Sequence, residues 1–134
     1  MHRLLQVLAF AWASPYTLVG ASIGFVGLCT GGHARRRGRI VEFYGGAVKW
    51  FITHLPNGQF TLAMTLGHTV LGQSDASLDV AREHEMIHVR QYERWGIFFG
   101  PAYLLASLAV WISGGRVYRD NAFEREAYDA TEGD

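Results

Sequence analysis

The 134-residue chain reads as one α+β domain, and three features predict it. A long apolar stretch free of charge opens the chain, a section of alternating polarity follows, and a run without glycine or proline comes next. The alternating section predicts a small antiparallel sheet. The other segments predict an N-terminal hydrophobic helix, a polar helix and a second hydrophobic helix near the end. At ~130 residues one modest core is expected, not two.

The first element covers residues 4–30, "LLQVLAFAWASPYTLVGASIGFVGLCT", which carry no charge and exceed the ~20 residues a helix needs to cross a bilayer. This predicts an anchor helix over residues 1–31. Ser14-Pro15 is expected to kink it or to start its main part, because proline lacks an amide donor yet suits a first turn. A signal peptide predicts small residues at a cleavage site and an uncharged mature start, whereas "HARRRGR" follows here. A buried core helix is the remaining reading. Four arginines directly after an apolar segment suit a membrane flank better than a duplex. Twelve basic residues balance twelve acidic ones, so net charge indicates no nucleic-acid partner and no acidic substrate. Cys29 is the single cysteine, which excludes an intrachain disulfide.

In the middle section "RIVEFYGG" predicts a short strand ended by glycines, and "QFTLAMTLGHTVLG" a longer one. Asn57-Gly58 is the dipeptide favoured where a tight hairpin needs positive φ. "AVKWFITHL" before it fits the hairpin's first strand slightly better than a short amphipathic helix. After Gly72, Asp75 or Ser77 can cap the start of "SLDVAREHEMIHVRQYERW", a helix expected to end at Gly96.

That helix holds His84, Glu85 and His88 as H-E-x-x-H. Roughly one chain in seventy of this composition would carry the pattern by chance, so the helical context is what gives it weight. The two histidines lie one turn apart on one face and can converge on a cation, with zinc the expected ion. Glu85 lies about 100° round the helix, where it can reach a metal-activated water as general base without being a ligand. A catalytic zinc needs a third protein ligand and an open position. Glu124 and Glu126, in "YRDNAFEREAYDA" on a further helix from Asn121, are the candidates.

An H-E-x-x-H helix followed by a second helix with E-x-E-A resembles the gluzincin group of zinc metallopeptidases, some membrane-linked members of which carry E-x-x-A-D there. The resemblance covers residues 61–129 and implies a zincin-like fold. It implies peptide hydrolysis in residues 38–134, with Glu85 catalytic and His84, His88 and Glu124 as zinc ligands. Glu124 falls on the ligand position and Ala127 on the alanine. The chain departs at Tyr128, where those relatives have Asp; Asp129 comes one residue late, leaving Glu126 an alternative ligand and Asp129 a support for a histidine. The strand "AMTLGHTVLG" would then be the edge strand that pairs with an extended peptide, and His68 on it a further candidate. Tyr118, Tyr103 and Tyr92 are candidate oxyanion donors.

If His84, His88 and Glu124 share one ion, the apolar residues 96–115 between them cannot cross a membrane once. They must form a hairpin broken near Gly100-Pro101 or Gly114-Gly115, lie along the interface or pack as a buried helix against the first segment, and a buried or interfacial helix is expected. The arginine run then predicts a cytoplasmic catalytic part in contact with membrane lipid, with a peptide or protein as substrate. So short a chain is a candidate for completion by a partner subunit or oligomer. Two other readings fit the same residues: a non-catalytic membrane protein with a structural metal or none, and a hydrolase of non-peptide amides.

Overall fold

A computed structural model of the chain describes residues 2–55, 58 and 61–132. In order these form α1 (His2–Cys29), β1 (His33–Arg37), β2 (Ile40–Tyr44), α2 (Gly46–Thr53), β3 (Ala63–Leu66), β4 (Thr69–Gly72), α3 (Asp75–Trp95), a 3-10 turn (Gly96–Phe98), α4 (Phe99–Ile112) and α5 (Ala122–Glu132). The class is α+β. The sheet, however, is mixed: its order is β1-β2-β4-β3, with two antiparallel hairpins joined by a parallel β2–β4 pair at the centre.

Three departures from expectation explain that topology. "AVKWFITHL" forms α2, because Val48 and Ile52, four residues apart, bury one helical face. Asn57 lies outside the described residues, and the helix before it leaves no strand for a hairpin there to pair. "QFTLAMTLGHTVLG" is broken into β3 and β4 by a turn at Gly67-His68, where Gly67 takes φ 63°. The arginine run is itself a strand, β1, turned at Gly38 with φ 60°. Its residues are almost all exposed, so no alternation marks it, and its charges suit an edge that must not pair with other chains.

Helices cover both faces of the sheet. Ile40, Ala63 and Val70 meet Leu78, Ala81 and Val89 of α3 on one face. On the other, Phe43 and Leu71 meet Val48 and Ile52 of α2, with Ile23 of α1. The face towards α3 also buries a full charge. Glu42 is 0% exposed and accepts from Arg35 Nε at 2.8 Å and from Arg82 Nε and Nη2 at 3.0 and 3.1 Å, while Asp79 braces both guanidinia at 2.7 and 2.8 Å. This network ties α3 to β1 and β2 two residues before His84. Glu42→Ala is expected to cost about 3 kcal/mol, the low end for a buried pair because both arginines keep a path to water; a denaturant midpoint measures it.

α1 runs unbroken through Pro15, and the Ser14 hydroxyl donates to the Ala11 carbonyl that Pro15 cannot reach with an amide, at 2.7 Å. Its inner side is a row of small residues. A Cβ at Gly20 would collide with the Thr69 hydroxyl, and one at Gly24 with the Phe43 ring. Of the two placements expected for α4, buried against α1 or at an interface, the buried one does not hold: Leu104, Leu105, Trp111 and Ile112 are each 65–72% exposed. Two helical stretches, Arg3–Cys29 and Asp75–Ile112, are long and apolar enough to cross a membrane, the second only when α3, the 3-10 turn and α4 are counted as one.

Candidate metal centre

The helix that carries the motif is capped one residue earlier than Asp75. The Ser74 hydroxyl accepts from the Ser77 amide at 3.1 Å, and the Ser77 hydroxyl accepts from the Ser74 amide at 3.0 Å, a reciprocal cap. The helix ends where Gly96 takes φ 58°. Between these stops, Leu78, Ala81 and Val89 bury against the sheet, and the face bearing His84 and His88 turns to α5. Asn121 starts α5: its Oδ1 accepts from the Phe123 amide at 2.9 Å, while its Nδ2 donates to the Tyr103 carbonyl and the Ser107 hydroxyl of α4.

These elements bring Glu124 to the histidines. Glu124 Oε1 lies 3.2 Å from His84 Nε2 and 3.1 Å from His88 Nε2, and the two nitrogens are 3.3 Å apart. A tetrahedral zinc with ligands at 2.0–2.1 Å separates its donors by ~3.3 Å, so the triangle has the size and the donor set such an ion requires. His84, Glu85 and His88 also offer donor atoms within 4.8 Å of one another. Glu85 is nevertheless the weaker ligand: its Oε2 is 3.8 Å from His84 Nε2, and its Oε1 accepts from the Thr65 hydroxyl of β3 at 2.9 Å.

Each member is held by a neighbour. Gln91 is fully buried and spends both amide hydrogens, on the Phe123 carbonyl at 3.0 Å and on Glu126 Oε1 at 2.6 Å. Its Oε1 therefore accepts from His88 Nδ1 at 2.8 Å, which fixes one proton on Nδ1 and turns Nε2 to the triangle. The Tyr103 hydroxyl donates to Glu124 Oε2 at 2.7 Å, leaving Oε1 for the histidines. Tyr128 packs on the His84 ring at 4.5 Å, with the Arg119 guanidinium 3.7 Å above the Tyr128 ring.

The electrostatics favour positive charge where the three atoms meet. Burial opposes charge on both His88 and Glu124, yet their mutual hydrogen bond and the Glu85 carboxylate raise His88 to about 9. The histidines, His84 and His88, and Tyr103 lower Glu124 to about 2. Burial pushes Glu85 above the usual carboxylate range, opposed by His88 and His84. In metal-free protein the raised His88 stabilises the fold fully below pH 6.5 and loses this as pH rises through about 9. The lowered Glu124 contributes fully above pH 4.5 and loses this as pH falls through about 2. With chelator present the His88 and Glu124 contributions are both complete between pH 4.5 and 6.5, and the raised Glu85 favours the lower part of that window, which a Tm series across pH measures.

The other expected residues lie elsewhere. Glu126, two residues and so about 200° round α5 from Glu124, faces Gln91 and sits 3.7 Å from Arg94. Asp129 is exposed, and the support it was expected to give a histidine comes from Gln91. His68 sits in the turn between β3 and β4 at the end of the sheet, away from the triangle, where its Nε2 meets Glu93 of α3 at 2.9 Å and its ring stacks on Phe10 of α1. The Tyr92 hydroxyl donates to the Thr65 carbonyl at 3.1 Å, so Tyr92 and Tyr103 both have other work. Tyr118 is half-exposed and bonded to Tyr128; burial, Glu124, Tyr128 and Glu85 together push its hydroxyl up. Gln91 was legible as an i+3 neighbour of His88, whereas nothing in the apolar run around Tyr103 marked it as a partner for a carboxylate. Comparison with protein families, curated proteins and solved structures found no match to this chain.

Proposed function

We propose that the chain is a membrane-associated zinc metallopeptidase of gluzincin type with a zincin-like arrangement of sheet and helices. The observation that carries this reading is the triangle of His84 Nε2, His88 Nε2 and Glu124 Oε1, with the buried Glu85 carboxylate beside it. Zinc held by these three residues supplies a Lewis acid that polarises a carbonyl and brings the pKa of water down towards ~7.

The rest is done by the chain's own groups. Thr65 holds Glu85 Oε1, so Oε2 is the oxygen that takes the proton of the attacking water. A carboxyl whose pKa is raised by burial holds that proton well enough to pass it to the leaving amine nitrogen. Tyr118 has a hydroxyl near both acids and is assigned as donor to the oxyanion of the scissile carbonyl. β3 is an edge strand and offers its open side to an extended substrate. Arg36 and Arg37 are exposed on β1 and favour an anionic cytoplasmic leaflet.

Zinc content of the purified full chain, together with turnover of a peptide library, tests the proposal. About one zinc per chain with measurable cleavage supports it. A stable protein that takes up no zinc sinks it. Gln91→Leu is expected to weaken zinc binding by about 10–100-fold while the fold persists, because His88 loses the acceptor that orients it; competition against a chelator of known affinity reads this.

A further inference from the structure

The structure constrains how α1 can meet a membrane. Only its first residues, up to about Leu8, extend beyond the domain; Phe10 already stacks on His68 and the Trp12 indole donates to the Glu93 carbonyl. From Ala13 to Gly27, ~21 Å of helix, the inner side is docked in sequence on Gly67, Thr69, Phe43 and Val48. The sheet beside it is open, with β1 and β3 as free edges. It carries Glu42 with its arginines, and the Arg39–Glu93 ion pair lies next to Trp12, whose indole donates to the Glu93 carbonyl. Lipid-exposed sheet edges and loops do not occur within the hydrocarbon layer. The free part of α1, ~10 Å, is too short for a ~30 Å core, and so are the 14 residues of α4 at ~21 Å.

The outer side of α1 is nonetheless apolar along its whole length, with Leu18, Val19, Phe25 and Val26 each 52–66% exposed. All four tryptophans, Trp12, Trp50, Trp95 and Trp111, are 39–68% exposed, which a water-soluble surface does not call for and a headgroup region does. Basic residues accompany the apolar stripe: Arg3 at one end, Lys49 beside Val48 at the Gly27 end, and Arg36 and Arg37 exposed on β1 alongside its middle. We infer that α1 and α4 lie flat in one leaflet of a bilayer containing anionic lipid, so that the protein rests on the membrane and does not cross it. The inference shares membrane association with the proposed function and is independent of hydrolysis.

The test uses the full chain, made in the presence of sealed phosphatidylcholine–phosphatidylglycerol vesicles. In a Cys29→Ser background a single cysteine is placed before α1 by Arg3→Cys or after it by Ala34→Cys. Flotation with the vesicles, and labelling of both positions by an impermeant maleimide with no gain on adding detergent, is the expected result. Protection of one position until detergent is added means that α1 crosses, and overturns the inference. Failure to float overturns it as well, and a dimer mass by light scattering then assigns the stripe to a second copy of the chain. Zinc content, measured on the same samples, reports separately on the metal site.

Discussion

Glu85→Gln is expected to lower peptide turnover by about 10²–10⁴-fold while zinc stays bound. Glutamine keeps the shape and can still meet the Thr65 hydroxyl that Glu85 Oε1 accepts from, so packing between β3 and α3 is retained. What is lost is the carboxylate that the proposed reaction uses to take a proton from water and give it back. Parallel measurements of zinc content and turnover decide the matter. Turnover that survives the substitution assigns the proton transfer to another group, and zinc lost along with turnover makes Glu85 a ligand instead of a base.

Glu124→Ala is expected to weaken zinc binding on the order of a thousandfold, whereas Glu126→Ala changes it about twofold or less. The contrast follows from geometry, since Glu124 Oε1 is within 3.2 Å of both imidazoles while Glu126 bonds the Gln91 amide from outside. In the Glu124 variant the Tyr103 hydroxyl also loses its acceptor, so some loss of α4–α5 packing accompanies the loss of metal. A chelator titration of both variants beside the wild-type chain separates them. Equal weakening by the two changes would mean that α5 is shifted from the position described.

The longer helices were legible because their signals are local, whereas the eight residues of α2 read as a strand. Residues 75–95 lack glycine and proline and are stopped by Gly96, and one-turn spacing alone put His84 and His88 on one face. Glu124 could be paired with them only through resemblance, since nothing local links positions 36 and 40 residues apart. The sheet was harder to read. Its central pair, β2 and β4, is parallel and joined through α2, a relation that no alternation pattern encodes. β1 escaped notice because arginines on an edge strand carry no apolar period. Two arginines of the run serve the fold: Arg35 on β1 neutralises Glu42, and Arg39, in the turn after it, pairs with Glu93. Tyr103 and Thr65 come from an apolar helix and a short strand, where a hydroxyl reads as an ordinary core residue until its partner is known.

The Tyr103 hydroxyl makes purification itself informative. A harsh surfactant that peels α4 away from α5 removes the group that turns Glu124 Oε1 inward, and frees Asn121 from Tyr103 and Ser107 in the same event. If the proposed zinc site is right, zinc recovered per mole of protein falls as extraction grows harsher, while a gently extracted, folded chain without zinc still counts against the site.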